Sequence, residues 1–300
     1  MVPPQSDLDP VRFVDLDAGE NLPSPGGVVL GVSADGPRRS DDERMMCVIT
    51  PQQVPAVLET VRKAPVAVHA LADLLRLITS LSVEHAMVAE SFAYSMLLAS
   101  SEFRTWRASR PRREVVKPDS PSVLLSRDGE ALAVVLNRPE RHNAFGVDVR
   151  DGLLGALAVA DADPSVREVR LSGEGRSFCS GGDLDEFGTA ADVAMAHIAR
   201  TTYSAGLAVH RLRDKVRPTL HGACLGAGIE VPAFAAHVAA HSDARFGLPE
   251  LGLGLIPGAG GTVSLSRRIG LHRTAWLALT RQTIDAHTAL AWGLVDELLD

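Results

Sequence analysis

Strand-like and helix-like runs alternate over the C-terminal part of the chain, and this alternation restricts the possible folds more than any other property of the sequence. Runs rich in β-branched and apolar residues predict strands at 123–126, 131–136, 166–171 and 219–224. Apolar residues at helical spacing predict helices at about 147–160, at 193–211 and from 227 onward. Repeated strand, strand, helix units predict a layered α/β domain over residues 119–300.

The N-terminal part has a different organisation. Residues 1–50 are rich in Pro, Gly and Asp and contain one apolar run, Val28, Val29 and Leu30, which predicts a short strand in otherwise irregular sequence. Helical spacing predicts two or three helices between 51 and 110. The Pro-rich and charged stretch 108–122 is typical of an exposed connector, so a helical segment with its linker is assigned to 51–118.

Two glycine-rich segments directly follow strand-like runs: FCSGGDL at 178–184 and LHGACLGAGIE at 220–230. Glycines at such places allow a ligand to approach the backbone closely and leave N–H groups pointing outward. The second segment opens a helix, where the dipole favours a developing negative charge. An oxyanion hole built from both segments is one interpretation, and turns that merely permit tight packing are the other.

Other ligand-binding motifs fit the sequence poorly. The G-x-G of the second segment lacks the third glycine of a dinucleotide fingerprint, since Val231 stands in its place. The PGAGGT segment at 257–262 lacks the lysine of a phosphate loop. His237 and His241 have the spacing of a metal pair but no evident third ligand, so no metal site is predicted.

Two carboxylates stand in apolar surroundings. Glu230 lies just inside the helix that follows the second glycine-rich turn, and Glu250 follows FGLP in a segment otherwise without charge. Burial raises the pKa of a carboxyl group toward neutrality, which suits it to general acid or base catalysis. A structural role for each, such as complementing a helix N-terminus, is the alternative.

Composition limits the partners and the compartment. Lys and Arg total 30 against 37 Asp and Glu, a net charge of −7, which argues against nucleic acid as a partner. No stretch approaches the roughly 18 apolar residues of a membrane span, and the first ten residues do not resemble a leader peptide. The 3 cysteines lack C-x-x-C spacing, so a reducing cytoplasm is expected.

Four motifs then occur in order: LNRPERHNAF at 136–145, FCSGGDL, HGACLGAGIE, and ARFGLPELGLGLIPGAGGT at 244–262. In these motifs and their spacing, residues 121–300 resemble the enoyl-CoA hydratase/isomerase (crotonase) family. The resemblance implies a crotonase-like spiral of repeated ββα units and an acyl-CoA thioester ligand. It also implies a homotrimer or homohexamer and no cofactor beyond the coenzyme A of the substrate.

The resemblance also assigns roles to residues. The backbone N–H groups of Ser180 and Ala227 would hold the thioester oxygen. Glu230 and Glu250 match the two catalytic glutamates of the hydratases, which hold the attacking water between them. Contacts with substrate or coenzyme A are implied for Arg138, Arg141, Asn143, Ala144, Phe178, Gly181, Gly182, Asp183, Gly226, Pro249 and Gly258.

The sequence departs from the family pattern at several places. Ala227 replaces a usual glycine, Pro232 falls early in the helix of Glu230, and Ala236 stands where relatives have an acid. The chain stops at GLVDELLD, where relatives continue into C-terminal helices. Residues 64–111 resemble those helices, which predicts a relocated cap encoded before the core. A remnant of a degenerate upstream copy, or an unrelated helical appendage, are the alternatives.

The sequence therefore predicts a lyase of fatty acid metabolism that adds water to the double bond of an enoyl-CoA. An isomerase that uses Glu250 alone is the first alternative, because family members move a double bond with the second glutamate only. A catalytically weak acyl-CoA-binding subunit is the second alternative, motivated by Ala227, Pro232 and the rearranged ends.

Overall fold

A computed structural model describes residues 11–23, 27–37, 42, 44–111, 113 and 120–300. The boundary predicted near residue 118 lies outside these residues. The strands are β1 (Arg12–Asp15), β2 (Val29–Val32), β3 (Cys47–Ile49), β4 (Val123–Asp128), β5 (Ala131–Leu136), β6 (Glu168–Gly173), β7 (Val216–Leu220), β8 (Ala223–Leu225), β9 (Ala239–His241), β10 (Arg245–Gly247), β11 (Ile284–Asp285) and β12 (Glu297–Leu299). The α-helices are α1 (Val54–Lys63), α2 (Pro65–Leu77), α3 (Val83–Leu98), α4 (Ser101–Ala108), α5 (Val147–Ala162), α6 (Val193–Thr202), α7 (Ala205–Arg211), α8 (Ala227–Glu230), α9 (Gly261–Ile269), α10 (Leu271–Thr280) and α11 (Ala286–Trp292).

The largest sheet has the strand order β12-β9-β7-β6-β5-β4. Its first hairpin, β4 with β5, is antiparallel, and the other neighbours are parallel. Val134 of β5 pairs with Leu171 of β6, and both side chains are buried. The predicted α/β layering of residues 120–300, which we call the core, is confirmed.

A smaller sheet, in the order β11-β10-β8, positions the residues of interest. Strands β8 and β10 are parallel neighbours, with Leu225 opposite Gly247 at their C-terminal ends. Glu230 follows β8 through one turn of helix α8, and Glu250 begins a 3₁₀ turn directly after β10. Because both segments leave the same edge of the sheet, their glutamates emerge side by side.

The N-terminal strand prediction was correct but incomplete. Strand β2 forms where the apolar run predicts it, and it lies between β1 and β3 in a fully parallel sheet. Leu30, Cys47 and Ile49 are buried, and β3 packs against α10 of the core. The described residues between 11 and 50 are therefore more regular than predicted, because strands as short as β1 and β3 leave little periodicity in the sequence.

Four helices, α1 to α4, form between residues 54 and 108, where two or three were predicted. We call them the cap helices. Pro65 starts α2 directly after α1, and the side chains of Ser82 and Ser100 cap α3 and α4 by accepting from the backbone N–H three residues on. The Glu102 carboxylate accepts from the N–H groups of Val66 (2.8 Å) and Ala67 (3.2 Å), which joins α4 to α2.

The cap helices pack directly on the core. Helix α2 contacts α9 and α10, α3 contacts α6 and α9, and α4 contacts the turn that carries Glu250. The Arg107 side chain donates to the carbonyl of Leu184 (2.8 Å). No helix among the described residues is long and apolar enough to cross a membrane.

Several predicted core elements differ in extent. The strand predicted at 219–224 is two strands, β7 and β8, separated by residues 221 and 222, and the strand predicted at 166–171 runs from Glu168 to Gly173. The helix expected at 193–211 is two helices, α6 and α7, because Ser204 caps a new helix by accepting from the Leu207 N–H (3.2 Å). The helix expected from 227 begins there but is a single α-turn. Pro232 then opens a 3₁₀ turn, so it does not interrupt the α-helix that carries Glu230.

Candidate active site

A cavity of about 910 Å³ lies between the cap helices and the core. Its wall includes Glu90, Tyr94 and Phe103 on the cap side and Gly182, Ala227 and Gly258 on the core side. Glu230 and Glu250 also face it. The cavity therefore brings together both predicted glutamates, parts of both glycine-rich segments and side chains from helices far away in the sequence.

The turn between β8 and α8 requires glycine for two reasons. Gly226 has a φ of +48°, and a Cβ there would collide with Glu250 Oε1 and lie 3.6 Å from Glu230 Oε1. A Cβ at Gly228 would collide with the carbonyl oxygen of Cys179. The two glutamates thus face one point above Gly226, and the two glycine-rich segments touch at Gly228.

Two backbone N–H groups are free to bind a ligand oxygen beside these glutamates. Neither Gly182 nor Ala227 donates its N–H to any acceptor among the described residues, and both residues line the cavity. The prediction for Ser180 was wrong, because its N–H donates to the carbonyl of His142 (2.9 Å). The pair that fits an oxyanion is therefore Gly182 and Ala227.

Glu230 is almost fully buried and is held by a loop. Its Oε2 accepts from the N–H groups of Ala259 and Gly261, each at 2.8 Å. Burial raises the pKa of Glu230, and the backbone donors of the loop act in the opposite direction. The pKa of Glu230 therefore moves toward neutral pH, while two backbone donors still stabilise the ionised form of the carboxyl.

Glu250 is buried with fewer partners. Its Oε2 has no hydrogen-bond partner among the described residues. Burial, and then the charge of Glu230, raise the pKa of Glu250 well above the ordinary value of 4.5. Two neighbouring carboxyls with different partners are suited to opposite roles in proton transfer.

A third buried carboxylate, Glu90 of helix α3, was not predicted as a site residue. Its Oε1 accepts from the Gly260 N–H (2.8 Å), and its Oε2 accepts from the N–H (3.0 Å) and the hydroxyl (2.6 Å) of Thr262. Burial, and then the charge of Glu230, raise the pKa of Glu90. Four successive N–H groups, 259 to 262, are therefore taken alternately by Glu230 and Glu90. The sequence signal for Glu90 was an acid inside an apolar helix.

The LNRPERHNAF segment forms the rigid support of this site. Asn143 is fully buried, and its side chain accepts from the Arg138 N–H (2.7 Å) and donates to the carbonyls of Glu174 and Ser177 (2.9 Å each). Arg141 Nη2 donates to Asp183 and to Asp185, both at 2.9 Å. These contacts fix the backbone that leads into Gly182.

The predicted binding residues fall into two groups. Gly182, Asp183, Ala227, Glu230, Glu250 and Gly258 line the cavity. Outside its lining lie Arg138, Arg141, Asn143, Ala144, Phe178, Ser180, Gly181, Gly226 and Pro249. The second group shapes the turns behind the cavity, and contacts of its members with coenzyme A stay predictions. No group of three or more potential metal ligands occurs among the described residues.

The sequence model described as enoyl-CoA hydratase/isomerase matches residues 127–300. The chain belongs to the enoyl-CoA hydratase/isomerase family. The predicted family is thus confirmed, and every predicted site residue lies inside the matched region.

Individual relatives of this family member agree with the assignment. A mevalonyl-coenzyme A hydratase of Beauveria bassiana is 35% identical over 176 residues, 56% of this chain and 63% of the relative. A trans-2-decenoyl-[acyl-carrier-protein] isomerase of Streptococcus mutans is 32% identical over 181 residues, 59% of this chain and 69% of the relative. The match thus spans less than two thirds of the first relative's length.

The fold agrees as well. The crystal structure of an enoyl-CoA hydratase from Thermoplasma volcanium is similar to this family member with a TM-score of 0.56 and 32% identity. The similarity covers 60% of this chain and 73% of that structure. The predicted crotonase-like α/β fold is confirmed.

Proposed function

We propose that this chain is an enoyl-CoA hydratase-like lyase, which adds water across the α,β double bond of an enoyl-CoA thioester. The observation that carries the proposal is the arrangement of Glu230 and Glu250 around one point, beside the free N–H groups of Gly182 and Ala227. Two donors for a developing oxyanion and two acids tuned by burial are what this addition needs.

In the proposed reaction, the thioester oxygen accepts from the N–H groups of Gly182 and Ala227. Water held between the glutamates loses a proton to one of them and bonds to the β-carbon. The electron pair of the double bond moves to form an enolate, whose oxygen remains in the hole. The α-carbon then takes a proton from the other glutamate, which gives a 3-hydroxyacyl thioester.

The different partners of the two carboxyls favour one assignment of roles. Glu230 accepts from two backbone N–H groups, which stabilise its carboxylate, so it is the base. Glu250 Oε2 lacks a partner among the described residues, and burial raises the pKa of this group, so it holds the proton and is the acid.

The test follows hydration by the loss of ultraviolet absorbance of the conjugated enoyl thioester. Glu230→Gln and Glu250→Gln are each expected to lower kcat by at least about 10²-fold, the usual contribution of a general acid or base. Glu102→Gln is the matched control, because Glu102 is a buried carboxyl outside the cavity lining. Turnover unaffected by both active-site substitutions contradicts the proposal.

Double-bond isomerisation is the second candidate, favoured by the partnerless oxygen of Glu250. A single carboxyl can carry a proton from the α-carbon to the γ-carbon of a 3-enoyl thioester. The same variants separate the two reactions. Hydration depends on both glutamates, whereas isomerisation falls mainly with Glu250→Gln. Retention of acyl-CoA binding without any turnover would favour the catalytically weak binding subunit.

We also propose that the cap helices take the place of the C-terminal helices of relatives. Support comes from Glu90, Tyr94 and Phe103, which line the same cavity as the two catalytic glutamates. A cap that only decorated the surface would leave these side chains outside the site. Replacing Phe103 by Ala is expected to raise the KM for acyl-CoA, because this ring closes one wall.

The assembly and compartment complete the proposal. Exposed apolar side chains on α3 and α6, among them Phe92, Met96, Met195 and Ile198, fit burial in a homotrimer or homohexamer. Light scattering measures the number of subunits directly.

No cofactor is needed beyond the coenzyme A of the substrate. The 3 cysteines are buried and unpaired, which fits a reducing cytoplasm.

A further inference from the structure

Arg200 is a guanidinium held in the cavity wall with no carboxylate in hydrogen-bond contact among the described residues, although Glu90 lies within electrostatic reach. It lies on helix α6, and its pKa is lowered by burial. Its Nε donates to the Ser91 hydroxyl (3.2 Å), and its Nη2 donates to the Ser91 carbonyl (3.3 Å) and the Ser95 hydroxyl. It forms no ion pair with a described residue. A desolvated cation is costly unless an anion compensates it.

Two residues of this wall have unused hydrogen-bonding capacity. Arg200 Nη1 carries two N–H groups that meet no acceptor among the described residues. The guanidinium carbon lies 4.8 Å from the ring centroid of Tyr94. The Tyr94 hydroxyl likewise has no hydrogen-bond partner in the part of the chain that the structure describes. Two neighbouring residues thus offer free donors on the cavity wall, and Glu90 is a carboxylate in electrostatic reach of both.

The Tyr94 ring connects this donor pair to the catalytic centre. A Cβ at Gly258 would lie 3.0 Å from Tyr94 Cζ, so the ring rests against the loop that holds Glu230. Arg200 and the three buried glutamates, Glu90, Glu230 and Glu250, are all in electrostatic reach of the Tyr94 hydroxyl. Because Tyr94, Arg200 and both glutamates line one cavity, an acyl chain bound at the glutamates has room to extend along this ring toward Arg200.

We propose that Arg200 and Tyr94 form a subsite for a carboxylate at the far end of the acyl chain, so that the preferred substrate is an ω-carboxy-2-enoyl-CoA. The inference rests on the proposed function and narrows its substrate class. Arginine is suited to this role because it stays charged and forms strong hydrogen bonds with carboxylates. The Ser91 and Ser95 contacts hold the guanidinium in place while Nη1 remains available.

The experiment compares trans-2-hexenoyl-CoA with its ω-carboxylate counterpart, 2,3-dehydroadipyl-CoA. Wild type is expected to have a higher kcat/KM for 2,3-dehydroadipyl-CoA than for trans-2-hexenoyl-CoA. Arg200→Met is expected to lower the ratio of the two kcat/KM values by roughly 10- to 100-fold, the loss of one hydrogen bond to a charged group. Arg200→Lys keeps the charge and is expected to retain part of the preference.

Arg62→Met is the matched control, because it removes the positive charge of an exposed arginine outside the cavity lining. It is expected to leave the ratio unchanged. A wild-type ratio near one, or a ratio that Arg200→Met does not change, overturns the subsite. Equal losses on both substrates through KM also overturn it, since they indicate a contact with the phosphates of coenzyme A.

Binding measurements test the carboxylate subsite independently of the proposed hydratase activity. Calorimetry with the saturated analogues adipyl-CoA and hexanoyl-CoA needs no turnover. If no hydration occurs, but wild type binds adipyl-CoA more tightly and Arg200→Met abolishes that difference, the subsite stands and the hydratase proposal fails. Equal affinity of wild type for the two analogues removes the subsite whatever the catalytic result.

Discussion

Replacing Glu90 by Gln is expected to destabilise the protein, although it changes one atom of a side chain outside the four family motifs. The Glu90 carboxylate accepts three hydrogen bonds from the loop that also holds Glu230. Glutamine keeps one carbonyl oxygen and puts an amide group where the other oxygen stood. The Thr262 hydroxyl can rotate to accept from that amide, but a backbone N–H cannot.

The size of the effect follows from counting donors. In either orientation of the new amide, the N–H of Gly260 or that of Thr262 loses its acceptor. Both sites are buried, so water does not replace the lost oxygen. Leaving one buried donor unsatisfied costs about 1–3 kcal/mol. Glu90→Ala removes all three acceptor contacts and is expected to cost more.

Urea unfolding followed by circular dichroism measures this loss at mildly acidic pH. Glu90 is neutral there, and its protonated oxygen can donate to the Thr262 hydroxyl and still accept from the Thr262 N–H, which an amide nitrogen cannot do. Glu84→Gln is the control, because it is the same substitution on the same helix at an exposed position, where loss of a negative charge from the first helical turn costs about 0.3–1 kcal/mol. Glu230 and Glu90 bind alternate N–H groups of the 259–262 loop, and we call this arrangement the clamp. If Glu90→Gln and Glu84→Gln have the same unfolding free energy, the clamp does not contribute to stability and the reasoning fails.

Three further predictions concern the same site. Burial raises the pKa values of Glu90, Glu230 and Glu250. The stability that their neutral forms contribute is therefore complete below pH 4.5 and is lost as the pH rises through the raised values. The Tm should fall over that range, and the fall should be smaller in Glu90→Gln. Gly258→Ala places a methyl group against the Tyr94 ring and should cost about 1–3 kcal/mol in urea unfolding, whereas Gly155→Ala, where a Cβ meets nothing within 4 Å, should be neutral or stabilising. Arg141→Gln leaves Asp183 and Asp185 buried without their cation and should cost about 3–5 kcal/mol, and a loss comparable to that of an exposed arginine such as Arg62 would contradict the pairing.

Local sequence patterns predicted those elements correctly whose structure depends mainly on residues that are neighbours in the sequence. Strand β5 occupies the predicted residues, 131–136, because its apolar run is bounded by a turn on one side and Asn-Arg-Pro on the other. The turn before α8 was placed correctly because close backbone approach at Gly226 and Gly228 tolerates no larger residue. Glu230 and Glu250 could be found since an acid in an apolar segment is unusual.

Contacts between distant segments could not be predicted in the same way. Ser180 and Gly182 are two residues apart in one motif, and only the carbonyl of His142 decides which N–H is occupied. Glu90 meets Gly260 across 170 residues of sequence. Neither helical periodicity nor burial preference encodes such a pairing, because both describe one segment at a time.

The clamp on the 259–262 loop also explains why the cap can precede the core in the chain. The loop presents four successive N–H groups, and Glu230 takes only those of Ala259 and Gly261. The N–H groups of Gly260 and Thr262 therefore need an acceptor from another element, and buried backbone donors without one are costly. Helix α3 supplies it through Glu90, and the same helix brings Tyr94 against Gly258. What the core requires is a helix at this position with a carboxylate at this depth. Its place in the chain order is free as long as a connection can reach it.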